Sequence, residues 1–185
     1  PIDHPFWEKA KKDKFFSLIV PNEYGGKKMS STGLSKLLQN LSSCSASVPV
    51  HVMVPNSLGP SELLSHYGTQ SQKDYFLPKL AKGSIPCFGL TSLYAGSDAA
   101  GSMTDVGKVI RKNGKLKIIL QCQKRYITLA PVADIVGIAF KIEDDEDLLK
   151  QVCGHSVDGE ITLALIERGH KNLHLGEYGD PLGVG

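Results

Sequence analysis

The hydrophobic positions of this chain change their spacing near Pro86. Before that point they recur at three and four residues, the period of a helix that buries one face. Phe6, Ala10, Phe15 and Leu18 carry a loose version of the pattern from Phe6 to Val20. The run Pro21-Asn22-Glu23-Tyr24-Gly25-Gly26 ends it with turn chemistry. Ser30 or Ser31 is placed to cap a helix carrying Leu34, Leu37, Leu38 and Leu41. The small and apolar stretch from Ser42 to Val54 reads equally as a buried helix or an extended run. Pro60 opens a helix through Leu63, Leu64 and Tyr67 that Gly68 closes. Thr69 and Gln72 then form a capping box, and the helix it starts is expected to break or kink at Pro78. Gly83 closes the helical region.

Beyond Pro86 the period shortens to two. Val109-Ile110-Arg111 and Leu116 to Cys122, joined across Asn113-Gly114, predict a hairpin with a type I′ turn. Ile135 to Ile142 is an apolar run suited to a buried strand, and Ile161 to Ile166 another, entered through Asp158-Gly159. The acidic run from Glu143 to Asp147 between them reads as a solvated loop, because consecutive carboxylates cannot all converge on one cation. Helices followed by strands imply an α+β protein. The expected division is an N-terminal helical domain over residues 1–86 and an antiparallel β domain over 87–185.

Composition narrows the classes. Apolar residues make up 41% and charged residues 22%, which supports a packed core and excludes a disordered chain. A net charge of +2 does not point to a nucleic-acid partner. Lys9, Lys11, Lys12 and Lys14 read as one solvated helix face. Cys44, Cys87, Cys122 and Cys153 lie far apart without a Cys-x-x-Cys pair, so neither a disulfide scaffold nor a zinc site is expected. No apolar run reaches the roughly 20 residues that span a bilayer, and no signal-peptide pattern is present. The abrupt start at Pro1 and the turn-like Gly179-Asp180-Pro181-Leu182-Gly183 read as the edges of a piece of a longer protein. Further segments of that protein have room for targeting signals or a membrane anchor.

Two segments carry chemistry. From Phe88 to Asp98 a short apolar strand runs into a loop of small residues and hydroxyls. Gly96 lets backbone come close to a ligand, and neighbouring amides with the Ser97 hydroxyl can donate to a phosphate. Ser97 does not sit in Gly-x-Ser-x-Gly, and neither glycine-rich phosphate fingerprint is present. The second segment is Lys124-Arg125-Tyr126-Ile127-Thr128. Read as a strand, it places Tyr126 and Thr128 on one face, where a ring and a hydroxyl suit a flat heteroaromatic ligand. His170 and His174 are read as exposed non-ligands, and His51 and His66 as packing or surface residues.

Together these segments resemble the acyl-CoA dehydrogenase family. Thr91 through Asp98 resembles its Thr-Glu-Pro-x-Ala-Gly-Ser-Asp signature, and Lys124 to Thr128 its Lys-x-[Trp/Tyr]-Ile-Thr segment. Pro21 to Gly26 is similar to its Pro-x-Glu-x-Gly-Gly turn, and Tyr67 to Lys73 with Leu77-Pro78 to its paired helices. Asn56-Ser57-Leu58-Gly59-Pro60 and Lys124 through Pro131 look closest to the long-chain bacterial branch. The motifs occur in the family's order over almost the whole chain.

The resemblance implies FAD as cofactor, a fatty acyl-CoA as substrate and oxidation to a trans-2-enoyl-CoA. It also implies an electron-transfer flavoprotein as acceptor and a homo-oligomer. The compartment it implies is bacterial cytoplasm or the inner-membrane face, or an organelle matrix for a eukaryotic source. Carried over by position, Phe88, Leu90 and Thr91 border the flavin, with Thr91 at its pyrimidine edge. Gly96 and Ser97 meet the pyrophosphate, and Ser97 also faces the substrate side. Tyr126 lies against the isoalloxazine ring, followed by Ile127, and Thr128 bonds near N5. The family's catalytic glutamate belongs to a C-terminal four-helix domain outside these residues. Glu160, Glu167 and Glu177 are in the wrong region, so no catalytic residue is assigned and the isolated chain is expected to be inactive. Ser92-Leu93-Tyr94 departs from the family's Glu-Pro-Gly, and Leu129 stands where Asn is common. Two other readings keep the fold: a flavin oxidase or monooxygenase, and a non-catalytic homologue that has lost flavin.

Overall fold

The structure, a computed structural model, describes residues 4–57, 59–176 and 179. Leu58, Glu177 and most of the Gly179–Gly183 stretch therefore lie outside the described residues. The chain divides into two compact units that do not follow sequence order. The first contains residues 1–88, 128–137 and 165–185, and the second residues 89–127 and 138–164.

The first unit is built on helices α1 (Phe6–Lys12), α2 (Ser31–Ser42), α3 (Ser47–Met53), α4 (Pro60–Tyr67) and α5 (Gln70–Ala81). The helix expected over residues 6–20 stops at Lys12. Lys14 takes φ 61°, and the chain then winds through turns that bury Phe16, Ser17, Leu18 and Val20 completely. A helix would show only one face of such a run to the core. Asn56 makes the irregular path affordable by supplying the hydrogen bonds that a helix would have made. Its Oδ1 accepts from the amides of Leu18 (2.8 Å) and Ile19 (3.4 Å), and its Nδ2 donates to Phe15 O (2.6 Å) and Val52 O (2.8 Å).

The expected turn after Val20 forms. Gly25 takes φ 87°, and a Cβ on Gly26 would lie 2.0 Å from Val20 O. Ser30 caps α2, accepting from the Gly33 amide at 3.2 Å. Of the two readings of residues 42–54, the helix is realised as α3. Thr69 and Gln72 make both bonds of the capping box at the head of α5. Pro78, expected to break or kink this helix, sits inside it, so the helix does not break there. Leu77, Leu80 and Ala81 on either side are buried, so apolar packing holds the turn that Pro78 leaves one hydrogen bond short. Val20, Leu64, Leu77, Leu80, Ala81 and Ile135 form one core cluster, and Leu18, Leu34 and Val52 another.

The strands are β1 (Pro86–Gly89), β2 (Val106–Lys112), β3 (Lys115–Gln121), β4 (Ile135–Glu143) and β5 (Ile161–Glu167), with a short helix α6 (Lys150–Cys153) before β5. They pair in the order β1-β4-β2-β3, with β5 also on β4. In the second unit β2 and β3 form the expected hairpin, from Val106↔Gln121 to Lys112↔Lys115. Asn113 (φ 53°) and Gly114 (φ 72°) make its turn, both in the left-handed region that a type I′ turn requires.

The sheet is mixed and not wholly antiparallel, because Val106–Lys108 of β2 run parallel to Lys141–Glu143 of β4. The connection between these parallel strands, residues 113–134 with β3 inside it, exceeds the dozen or so residues that a parallel crossover needs. Gly107 is fixed by packing within this unit: a Cβ there would lie 2.3 Å from the Phe140 ring. β4 is buried from Ile135 to Phe140 and again at Ile142, as its apolar run predicts, while Lys141 and Glu143 are half-buried. β5 forms where expected but is half exposed, with Ile161 at 45% and Leu163 at 38%.

The acidic run is not simply a solvated loop. Asp144 is buried and accepts from the amides of Leu148 and Leu149, each at 2.8 Å, while Lys108 bridges Glu143 and Asp145. No helix among the described residues is long and apolar enough to cross a membrane.

Candidate functional site

β1 ends at Gly89, and the chain continues through Leu90 and Thr91 into a loop. Ser92 forms an isolated antiparallel bridge with Lys124. Arg125 donates its amide to Thr91 O at 3.3 Å, and Lys124 Nζ donates to Leu90 O at 3.0 Å. Within the second unit, therefore, Leu90–Ser92 of the first segment lie beside Lys124–Arg125 of the second, although the paired residues are more than thirty positions apart. This antiparallel seam sets Leu90 and Thr91 directly against Lys124 and Arg125.

The second segment is not a strand beyond Lys124. Tyr126 takes φ 57° and Leu129 φ 69°, so the alternation expected to place Tyr126 and Thr128 on one face does not apply. The left-handed turn instead leaves Tyr126 89% exposed. A tyrosine with φ above zero is uncommon and costs of order 1–2 kcal/mol, which marks the position as constrained. The Arg125 guanidinium lies 5.3 Å from the Tyr126 ring centroid, and its Nε is a buried donor with no partner among the described atoms.

Leu90, Thr91 and Ile127 are half-buried in the second unit, where Gly96 and Ser97 are exposed. Phe88 and Thr128 belong to the first unit, half-buried and exposed respectively. The Phe88 ring fills the space over Gly137 of β4, where a Cβ would lie 3.0 Å from it. A Cβ on Gly96 would meet nothing within 4 Å, so packing of this chain does not require glycine there. Asp98, one turn on, accepts from the Gly101 amide at 3.0 Å and from Ser102 Oγ at 3.4 Å.

Sequence reasoning missed the polar centre beneath the seam. Asp105 and Lys124 are buried, with side chains 6% and 8% exposed, and form an ion pair at 2.5 Å. The wholly buried Ser92 donates its hydroxyl to the same Asp105 oxygen, and the Gln123 amide donates to the other at 3.1 Å. Burial works to raise the Asp105 pKa, but the hydrogen bonds from Lys124, Ser92 and Gln123 outweigh it and hold the carboxyl below its ordinary value. The available signal was a lone acidic residue one position ahead of a strand. Elsewhere, burial pushes the Cys87 thiol up to about 12, which removes it as a thiolate nucleophile. Glu167 is committed to Lys79 and Tyr75.

The fold is that of acyl-CoA dehydrogenases. The crystal structure of the Geobacillus kaustophilus acyl-CoA dehydrogenase superposes with a TM-score of 0.67 at 27% identity, over 91% of this chain and 40% of that one. In sequence, residues 1–84 match the family model for the acyl-CoA dehydrogenase N-terminal domain. An acyl-CoA dehydrogenase of Bacillus subtilis (strain 168) is 33% identical over 129 residues, 69% of this chain and 32% of the relative. The human mitochondrial very long-chain specific acyl-CoA dehydrogenase is 28% identical over 189 residues, 99% of this chain and 27% of the relative. The chain belongs to the acyl-CoA dehydrogenase family, and it spans about a third or less of these two curated relatives.

Proposed function

We propose that this chain is the N-terminal and middle part of a flavoenzyme that binds FAD and oxidises fatty acyl-CoA thioesters to trans-2-enoyl-CoA in β-oxidation. The expected division at residues 86 and 87 is part of that proposal. The observation that carries it is the seam between Leu90–Ser92 and Lys124–Arg125, beside which the Tyr126 ring stands uncovered. The residues present fit the cofactor. Tyr126 is largely exposed at a left-handed position, Gly96 has open surroundings, and the Ser97 and Thr128 hydroxyls are free to face a ligand.

Thr91 and Leu90 would hold the flavin's pyrimidine side, with Phe88 bordering it. Gly96 and Ser97 would hold the pyrophosphate through backbone approach and a hydroxyl donor. Tyr126 would cover the ring, flanked by Ile127, and Thr128 would donate near N5. FAD, when bound, supplies the hydride acceptor, while the chain supplies position and electrostatics. Substrate contact at Ser97, long-chain preference, an electron-transfer flavoprotein acceptor, a homo-oligomeric state and a cytoplasmic or inner-membrane location belong to the same proposal. The catalytic base is assigned to no residue of this chain.

The test is an absorbance spectrum of the full-length flavoenzyme to which this chain is proposed to belong, purified without added cofactor, before and after palmitoyl-CoA. Flavin bands that bleach support the reading. Bands that persist point to another substrate or to an oxidase. Absence of flavin even after reconstitution with FAD overturns it.

A further inference from the structure

Three buried polar side chains lie directly beneath the proposed flavin-facing segments, and their bonding is complete on the cation's side. Lys124 Nζ has three protons and three acceptors: Asp105 Oδ2 at 2.5 Å, Leu90 O at 3.0 Å and Ser92 Oγ at 3.4 Å. Asp105 gathers Lys124, the Ser92 hydroxyl and the Gln123 amide. One buried ion pair thus ties Leu90 and Ser92 of the first segment to the start of the second. The Asp105 carbonyl also accepts the Lys141 amide of β4 at 2.9 Å, which anchors the pair to the sheet.

Such a pair is a poor way to gain stability. Its desolvation cost offsets much of its attraction, and apolar replacements of similar size are often no less stable. What it supplies is geometry. A carbonyl and a hydroxyl directed at one ammonium fix where Leu90 and Ser92 lie, and hence the direction of Thr91 between them. The chain also departs from the family's Thr-Glu-Pro pattern at this very place, with Ser92 where Glu is usual. Ser92 is the residue bridged to Lys124, so a longer acidic side chain at position 92 would face the same ammonium.

We propose that Asp105 supplies from β2's mouth the carboxylate that the family pattern carries at position 92. With Ser92 and Lys124 it forms the clamp that positions Leu90 and Thr91 beside Arg125 and Tyr126. The three residues are positioning residues and not catalytic ones. The proposal rests on the flavin reading above and adds the device that sets the binding segments in register.

Relocating the carboxylate tests it. In the full chain, Asp105→Ala is expected to weaken FAD binding by ~10-fold or more, the scale of a lost charged hydrogen bond. The visible flavin band should shift as the Tyr126 segment loosens. Combining Asp105→Ala with Ser92→Glu should return both affinity and spectrum to near the native values. A purely structural role would not give rescue from a different backbone position. Should Asp105→Ala fail to fold, the apolar pair Asp105→Leu with Lys124→Met keeps the core filled, and it should fold yet bind FAD weakly.

The clamp is overturned if that folded apolar pair or Asp105→Ala binds FAD with native affinity and spectrum. Failure of Ser92→Glu to improve on folded Asp105→Ala overturns it equally. Failure of the flavin reading shows separately, as a native chain that takes up no FAD. In that case hydrogen exchange at the Arg125 amide, which bonds Thr91 O, decides. Exchange that quickens in Asp105→Ala and slows again with Ser92→Glu supports the clamp, and unchanged exchange sinks it.

Discussion

Asn56 shows how one side chain can replace a stretch of secondary structure. It is 2% exposed and holds four backbone groups of residues 15–19 and 52. Asn56→Ala would leave buried donors and acceptors without partners, at ~1–3 kcal/mol for each group that water cannot reach. A total loss of about 3 kcal/mol in urea unfolding is therefore expected. A change below about 0.5 kcal/mol would place it among neutral surface substitutions and show that other groups compensate. Asp105 makes a pH-dependent contribution. Its folded pKa is depressed, so its stabilisation is full above the unfolded value of about 3.9 and is lost as pH falls through the folded value. Thermal midpoints measured downward from pH 5 should fall more steeply for the native chain than for Asp105→Asn. Parallel curves would show that the carboxylate is not the group responsible.

Among the elements, those with a local chemical signal formed where that signal lies. The capping box begins α5 at Thr69, and Asn113-Gly114 turns the β2–β3 hairpin. Thr69→Ala should cost about 1 kcal/mol, read as a shift in denaturant midpoint at constant m-value. Gly114, at φ 72°, has open space around its Cβ position, so Gly114→Ala tests backbone conformation alone. The expected cost is roughly 1–2 kcal/mol, and no loss would mean that the hairpin tolerates another turn. Elements without such a signal went differently. Residues 13–20 left the helix because consecutive side chains are buried together and Asn56 bonds their amides. Pro78 stayed inside α5 because the flanking side chains are core.

For the whole molecule, ligand binding is the largest lever left on stability. FAD that binds only the folded chain should stabilise it by ~2.7 kcal/mol at a hundredfold excess over Kd. Unfolding with and without FAD reads this directly. No shift at saturating FAD would contradict the proposed function whatever the fold. The two compact units interleave three and two stretches of the chain, respectively, so the order of elements in sequence does not mark their boundaries.

The amino-acid sequence by itself determined the α+β class, the capped helices, the hairpin and the two motifs of the candidate site, because each is written in neighbouring residues. Period, capping chemistry and turn glycines act over a few bonds and can be read in order. Only the tertiary structure decided the parallel pairing of β2 with β4, the left-handed turn that uncovers Tyr126 and the burial of Asp105 against Lys124. Those depend on which distant segments share a hydrogen bond or exclude water together. A lone aspartate before a strand looks the same in sequence whether it faces solvent or anchors a buried ion pair.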